Sequence, residues 1–251
     1  MVSNKAKKTT KRVESVAKVL VIDIEWRPAL AYVWQMWKIN INPDMLIEHG
    51  GMLCFCAHWE GTDEFLFFSE WEHGRKGMAE AALQLLEQAD AVVTYNGDKY
   101  DIPKIRGEIL LAGLTPPPKP TSIDLIKTVK TFGFNMNRMA YIAPLMGVGN
   151  KIKNEGFHLW KAVMDGDTGA QKRMQEYCVQ DVKITAKMYS KIKPFITNHP
   201  HLDMSAKVRC PACNSTKTQK RGWRPTRCFR IQRNSCTNCG HWFETTRSKI
   251  K

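Results

Sequence analysis

The run VLVIDIEW at residues 19–26 constrains the fold of this chain more than any other stretch. It is short, β-branched and apolar, the pattern of a buried strand, yet it carries Asp23 and Glu25. Alternate side chains of a strand share a face, so the two acids emerge together while Ile22 and Ile24 point to the other side. Burying one unpaired carboxylate is costly, and a second beside it adds repulsion. Either the strand end reaches water or a divalent cation sits between the acids.

Further strands follow. GMLCFCAHWEG and TDEFLFFSE read as two, joined by a tight turn at Glu60 to Thr62, and with the first they make an antiparallel meander. A helix is expected over residues 78–88 and a fourth strand at ADAVVTYN. Another helix follows Pro103, since proline is tolerated in a first turn. TPPPKP breaks the chain before a short strand at TSIDLI. The pattern is helical again over residues 137–146 and 171–191. Three strands followed by alternating helix and strand predict an α/β domain with a mixed sheet. Periodicity stops at KPFITNHPHLDMS, which reads as a connector.

Two more acids stand where the first pair could meet them. In VVTYNGDKYDIPKI a strand runs out at Asn96 and Gly97, and a helix begins near Asp101, an acid that could equally be only its N-cap; Asp98 competes for the same role. In YCVQDVKIT, Tyr177 and Asp181 lie four apart and share a helix face. The ordered set Asp23-x-Glu25, Asn96-x4-Asp101 and Tyr177-x3-Asp181 resembles the three exonuclease motifs of the DEDD superfamily of 3′-to-5′ exonucleases, in the subclass with tyrosine in the third motif. TYNGDKYDIPKI is similar to the second motif of family-B DNA polymerase proofreading domains, and NRMAYIAPLMGVGNK resembles the helix and glycine turn before the third, with Pro144 an irregularity. The histidine subclass would place His where Glu176 stands.

The resemblance covers roughly residues 19–189 and implies a ribonuclease H-like fold, a mixed five-stranded sheet with flanking helices. It also implies that Asp23, Glu25, Asp101 and Asp181 hold two Mg²⁺ or Mn²⁺ ions while Tyr177 orients water. Such ions suit in-line phosphodiester hydrolysis, one activating water and the other steadying the leaving oxygen. Hard oxygen donors suit Mg²⁺, and a phenol with pKa near ~10 positions water better than it deprotonates it. Asn96 and Trp26 become candidates for nucleic-acid contact; core packing is the commoner use of tryptophan, for Trp34 and Trp37 as well. Asp124 reads as a strand-end or cap residue, Asp165 and Asp167 as a turn, and Cys54 and Cys56 as core.

Cys210-x2-Cys213 and Cys236-x2-Cys239, with 22 residues between them, have the spacing of one Zn²⁺ held by four thiolates. They resemble the knuckles of zinc ribbons; Cys228 and His241 are possible substitute ligands. A disulfide framework is disfavoured by the absence of an export signal. A unit this small needs metal to fold securely. Between the knuckles, Lys220, Arg221, Arg224, Arg227, Arg230 and Arg233 alternate with Trp223 and Phe229, cations for phosphates and aromatics for bases or for the ribbon's own core.

Charge supports that division. Residues 1–18 carry six Lys or Arg against one Glu, residues 205–251 twelve against one, and the middle holds 20 bases against 22 acids within a total of +14. A near-neutral body with cationic ends suits a polyanion. The expected organisation is a basic tail at 1–18, an exonuclease domain at 19–196, a linker at 197–204 and a zinc ribbon at 205–251. No apolar run has membrane or export length, so a soluble cytoplasmic location is expected. With little room for a polymerase, a 3′-to-5′ exonuclease on single-stranded DNA, working beside replication or repair proteins, is the leading expectation. An RNA exonuclease and an inert nucleic-acid-binding adaptor are the alternatives.

Overall fold

The computed structural model describes residues 17–115, 117, 119–202 and 208–249, and contacts divide it into two units, Lys18–Ile196 and Thr197–Lys251. The expected basic tail lies outside the described residues up to position 16. Lys18 belongs to the body, because its backbone N donates to Asp90 Oδ2 at 2.7 Å.

The first unit is built on a five-stranded sheet. Its strands are β1 (Val19–Arg27), β4 (Gly51–Trp59), β5 (Phe65–Ser69), β6 (Ala91–Thr94) and β7 (Thr121–Asp124), and between β1 and β4 lie the short β2 (Leu30–Ala31) and β3 (Leu46–Glu48). The order is β5-β4-β1-β6-β7. β1, β4 and β5 pair antiparallel, as the meander predicts, and β6 and β7 add in parallel. Gly61, at φ 88°, makes the tight turn that leads into β5.

Six helices flank the sheet: α1 (Glu70–Gln88), α2 (Asp101–Leu111), α3 (Leu125–Val129), α4 (Met139–Leu145), α5 (Phe157–Met164) and α6 (Thr168–Ile192). α1 starts well before Met78, at Glu70, and the chain continues through a kink at Gly74, φ 66°; Ser69 holds the cap position without a side-chain capping bond. Leu20, Ile22 and Ile24 of β1 pack with Phe55 of β4 and with Met78 and Ile105 of α1 and α2; each such side chain contributes about 1.5–3 kcal/mol on burial. α6 contacts β1 and β4 as well, and its buried positions Cys178, Val182 and Thr185 recur at helical spacing. Asp167 caps it, accepting from Ala170 N at 2.7 Å, as the turn reading of MDGDTG allows. Pro144 lies inside α4, one residue from its end; with no N–H it cannot donate to the carbonyl four residues back, and the helix stops at Leu145.

In the second unit, β8 (Thr218–Pro225), β9 (Phe229–Cys236) and β10 (Trp242–Lys249) form an antiparallel sheet in the order β10-β9-β8. Its small core is Cys210, Ala212, Cys236 and Phe243. Among the described residues no helix is long and apolar enough to cross a membrane.

A candidate carboxylate site and a four-cysteine centre

Asp23 and Glu25 leave β1 on the face opposite Ile22 and Ile24, opposite Cys56 and Cys54 of β4 in the register. β6 runs out beside them into a turn that only certain residues fit. Asn96 is left-handed at φ 68°, and a Cβ at Gly97 would lie 2.4 Å from Thr94 Cβ, so glycine is required there. Asp124 fixes this turn: it caps α3 through Ile126 N at 3.2 Å and also accepts from Asn96 N at 2.7 Å and Asp98 N at 3.3 Å. Asp98 itself faces away, bonded to Ser122 and Lys127, which leaves the site to Asp101.

Asp101 does not act as the N-cap. Tyr100 holds the cap position, and Asp101 Oδ1 accepts from Ile24 N at 3.1 Å, between the two acids of β1. α6 brings Asp181, 2% exposed. One oxygen each from Asp23, Glu25 and Asp181 lies within 4.8 Å of the others. Asp101 stands outside that triple but lines the same cavity of about 700 Å³, together with Tyr95, Asn96, Lys151 and Tyr177.

The crowding shows in the protonation of the group. Burial, then the charges of Asp101, Glu25 and Asp181, hold Asp23 well above the carboxylate range. Burial, with Asp181 adding repulsion, raises Glu25 to about 8, and burial raises Asp101 to about 6 against the pull of the Ile24 amide. Asp181 is raised by burial and partly relieved by Lys151, whose Nζ lies 2.6 Å from Oδ2. Its Oδ1 is buried with no hydrogen-bond partner. Hard oxygen donors, an orphaned buried oxygen and mutual repulsion together fit a divalent cation.

Tyr177 packs edge-on against Trp160, with ring centroids 6.0 Å apart. Burial and the neighbouring Asp181 push its phenol up to about 12, so it keeps its proton near neutrality. Sequence reasoning missed Lys151, which bonds Asp181 and approaches Tyr177, its ammonium 5.3 Å from the ring centroid. Burial works against its charge, yet the Asp181 carboxylate holds its pKa above the lysine range. The available signal was its place just after the glycine turn at Gly147 and Gly149, a segment bound to α6 by Gln180 Nε2 donating to Asn150 O at 3.1 Å. Trp26 is not a wall of the cavity. It packs against the core under α1 and α2, with Lys104 Nζ 3.8 Å from its ring centroid and equally close to Tyr100.

In chelator the repulsion carries a pH signature. Glu25 titrates at about 8 in the fold and near ~4.3 when unfolded. Between those values the native chain keeps a proton that the unfolded chain has released, so stability present at low pH is lost as pH rises. The melting temperature of the metal-free protein should therefore fall by several degrees from pH 5 to pH 8, more steeply than that of Glu25→Gln. Parallel melting profiles for the two proteins would contradict the crowding.

In the second unit Cys210, Cys213, Cys236 and Cys239 offer sulfurs all within 4.8 Å of one another. Sγ–Sγ distances of 3.6 Å for Cys210–Cys239 and Cys213–Cys236 approach the ~3.8 Å edge of a tetrahedron with ~2.3 Å metal–sulfur arms. Each knuckle closes on a backbone bond, Asn214 N to Cys210 O at 2.8 Å and Gly240 N to Cys236 O at 2.9 Å, and Asn238 N points at Cys236 Sγ. Burial raises Cys213, but the Ser215 amide and Asn238 side chain outweigh it and bring the thiol to about 7. Cys228 is exposed, and His241 is buried parallel to Phe243; neither joins the four. Lys220, Arg221, Arg224, Arg227, Arg230 and Arg233 are all exposed. Arg224 is engaged by Glu244 at 2.7 and 3.1 Å, and Arg221 Nε donates to Ser235 Oγ at 2.8 Å. Of the aromatics, Trp223 is 45% exposed, and Phe229 lies under Arg247 at 3.7 Å.

A family model described as RNase_H superfamily matches residues 48–193, beginning after the first two acids. The chain is also similar to solved structures. The family B DNA polymerase from the hyperthermophilic archaeon Pyrobaculum calidifontis aligns with a TM-score of 0.55 and 15% identity, over 71% of this chain and 25% of the polymerase. Trypanosoma brucei RNase D aligns with a TM-score of 0.43 and 13% identity, over 69% and 56% of the two chains. The polymerase likeness is one of fold, and this chain spans about a quarter of that protein's length. No curated protein matches.

Proposed function

The chain belongs to the RNase_H superfamily, and from that premise we propose that it is a metal-dependent 3′-to-5′ exonuclease that hydrolyses single-stranded DNA. One observation carries the reading: acids from the middle of the sheet and from α6, far apart in sequence, place oxygens within 4.8 Å of one another. In this reading Asp23, Glu25, Asp101 and Asp181 hold Mg²⁺ or Mn²⁺, which supplies the activation of water and the stabilisation of the leaving oxygen that phosphodiester hydrolysis needs.

The chain's own groups do the rest. Tyr177, protonated near neutrality, orients the attacking water as a hydrogen-bond donor or acceptor and does not strip it. Lys151, fixed against Asp181, adds a cation beside the developing phosphate charge. The cavity of about 700 Å³ has the size that encloses a nucleotide-sized ligand. Apart from the domain that does the chemistry, residues 205–251 act as a ribbon on one Zn²⁺ whose exposed Lys220, Arg227, Arg230 and Arg233 neutralise phosphates. Polarity and the preference for DNA follow the resemblance of the motifs to proofreading domains.

The test is a digest of matched DNA and RNA strands, each labelled at either end, with Mg²⁺ or with chelator. Stepwise shortening of 5′-labelled DNA with Mg²⁺ alone is the expected result. Faster loss of the RNA would move the substrate to RNA, and no metal-dependent release from any strand would leave only an adaptor.

A further inference from the structure

β1 and β4 are paired down to Arg27 and Gly51, and a turn of about 2–5 residues usually joins such neighbours. Residues 28–50 instead form an arm. Its stem is β2 against β3, closed by Tyr32 N donating to Met45 O at 3.0 Å. Beyond the stem, Trp34 is 97% exposed and Met36 and Trp37 are 81% exposed each, with Tyr32 and Ile41 also in water. Residues 28–49 carry only Lys38, Asp44 and Glu48 as charges. Tryptophan, tyrosine and methionine with almost no charge is the composition of a protein–protein interface core. It is the opposite of a nucleic-acid platform, which sets its aromatics among cations.

The same chain carries a recipient. At the foot of the arm a groove of about 650 Å³ is lined by the apolar Leu30, Leu53, Trp71, Phe157 and Met164 and also by the charged Arg27, Glu48, Glu70, Lys161 and Asp165, and Phe157 and Met164 are 63% and 39% exposed. Charge does not oppose self-association of this body, since residues 19–204 hold 20 bases and 22 acids. At roughly 150–250 Å² per aromatic, Tyr32, Trp34 and Trp37 with the aliphatics around them offer an area on the order of the ~800 Å² per partner of a standard interface. We propose that residues 28–50 are a dimerisation arm, each copy laying its Trp34–Trp37 tip into the Phe157–Met164 groove of a second copy. When two copies exchange arm and groove reciprocally, the contact is isologous and closes as a two-fold dimer.

The test is analytical ultracentrifugation of the full chain without substrate, so its outcome is separate from that of the exonuclease reading. A discrete dimer at micromolar concentration is expected. The arm variant Trp34→Ser/Trp37→Ser should weaken it by at least about tenfold per tryptophan, with an unchanged melting temperature. Met164→Arg in the groove should do the same, and mixing the two variants should recover a dimer that keeps one intact arm–groove contact. A monomeric wild type, open-ended aggregation, or a dimer indifferent to both variants overturns the proposal. A monomer whose oligonucleotide affinity falls in the arm variant gives the arm to nucleic acid, and overturns it too.

Discussion

Asp181→Ala should lower the rate of nucleotide release from single-stranded DNA by at least about a thousandfold while leaving the protein folded. Both halves follow from the surroundings of this side chain. Its Oδ1 is buried without a partner and its Oδ2 meets Lys151 at 2.6 Å, so a metal bound at the site would lose one of its ligands. In chelator, however, Asp181 sits among carboxylates whose charges raise one another's pKa. Its removal relieves that repulsion, and Lys151, whose side chain is 28% exposed, can turn to water. The melting temperature in chelator should therefore hold or rise. Tyr177→Phe removes an oriented hydroxyl and keeps the ring against Trp160, so it should slow the reaction by only about ten- to a hundredfold. Wild-type rates for Asp181→Ala, measured on end-labelled DNA, would refute the assignment.

The second large effect is expected in the ribbon. Cys236→Ser should abolish zinc retention and unfold residues 205–251 while the body melts as before. The core of that unit is Cys210, Ala212, Cys236 and Phe243, too little apolar surface to offset the ordering of so long a segment. A structural zinc contributes about 10–16 kcal/mol of apparent binding free energy to folding, and loss of one thiolate removes most of it. Unfolding disperses the exposed cations of β8 and β9, so DNA binding should weaken and its log–log salt slope should flatten by up to roughly 0.7 per lost phosphate contact. Zinc analysis, limited proteolysis and a salt titration check this. A protein that keeps its zinc and its slope would contradict the role given to the ribbon.

Much of this was legible from residue types alone. The meander at β1, β4 and β5 follows from short apolar runs broken by turn residues, and the pairing of Asp23 with Glu25 on one face from period-two alternation, which a strand cannot evade. The four cysteines are legible because knuckle spacing is itself a chemical constraint. The placement of Asp101 was open, because a cap and a site acid look alike in sequence; in the fold Tyr100 holds the cap position and Asp101 accepts from Ile24 N. α5 went unread. It is only eight residues long, and FHLWKAVM is too short a window for periodicity to declare itself. Lys151 was hidden for another reason, since a loop lysine meets Asp181 only through the packing of residues 147–151 on α6. Trp26 shows the reverse: it follows the acids directly in sequence, but its ring turns to the core and to Lys104.

Anomalous diffraction from crystals soaked in Mn²⁺ tests the central claim most directly. The convergence of Asp23, Glu25, Asp101 and Asp181 predicts manganese peaks in contact with their oxygens, lost in Asp181→Ala. A cavity that stays empty in the wild-type crystals would contradict it.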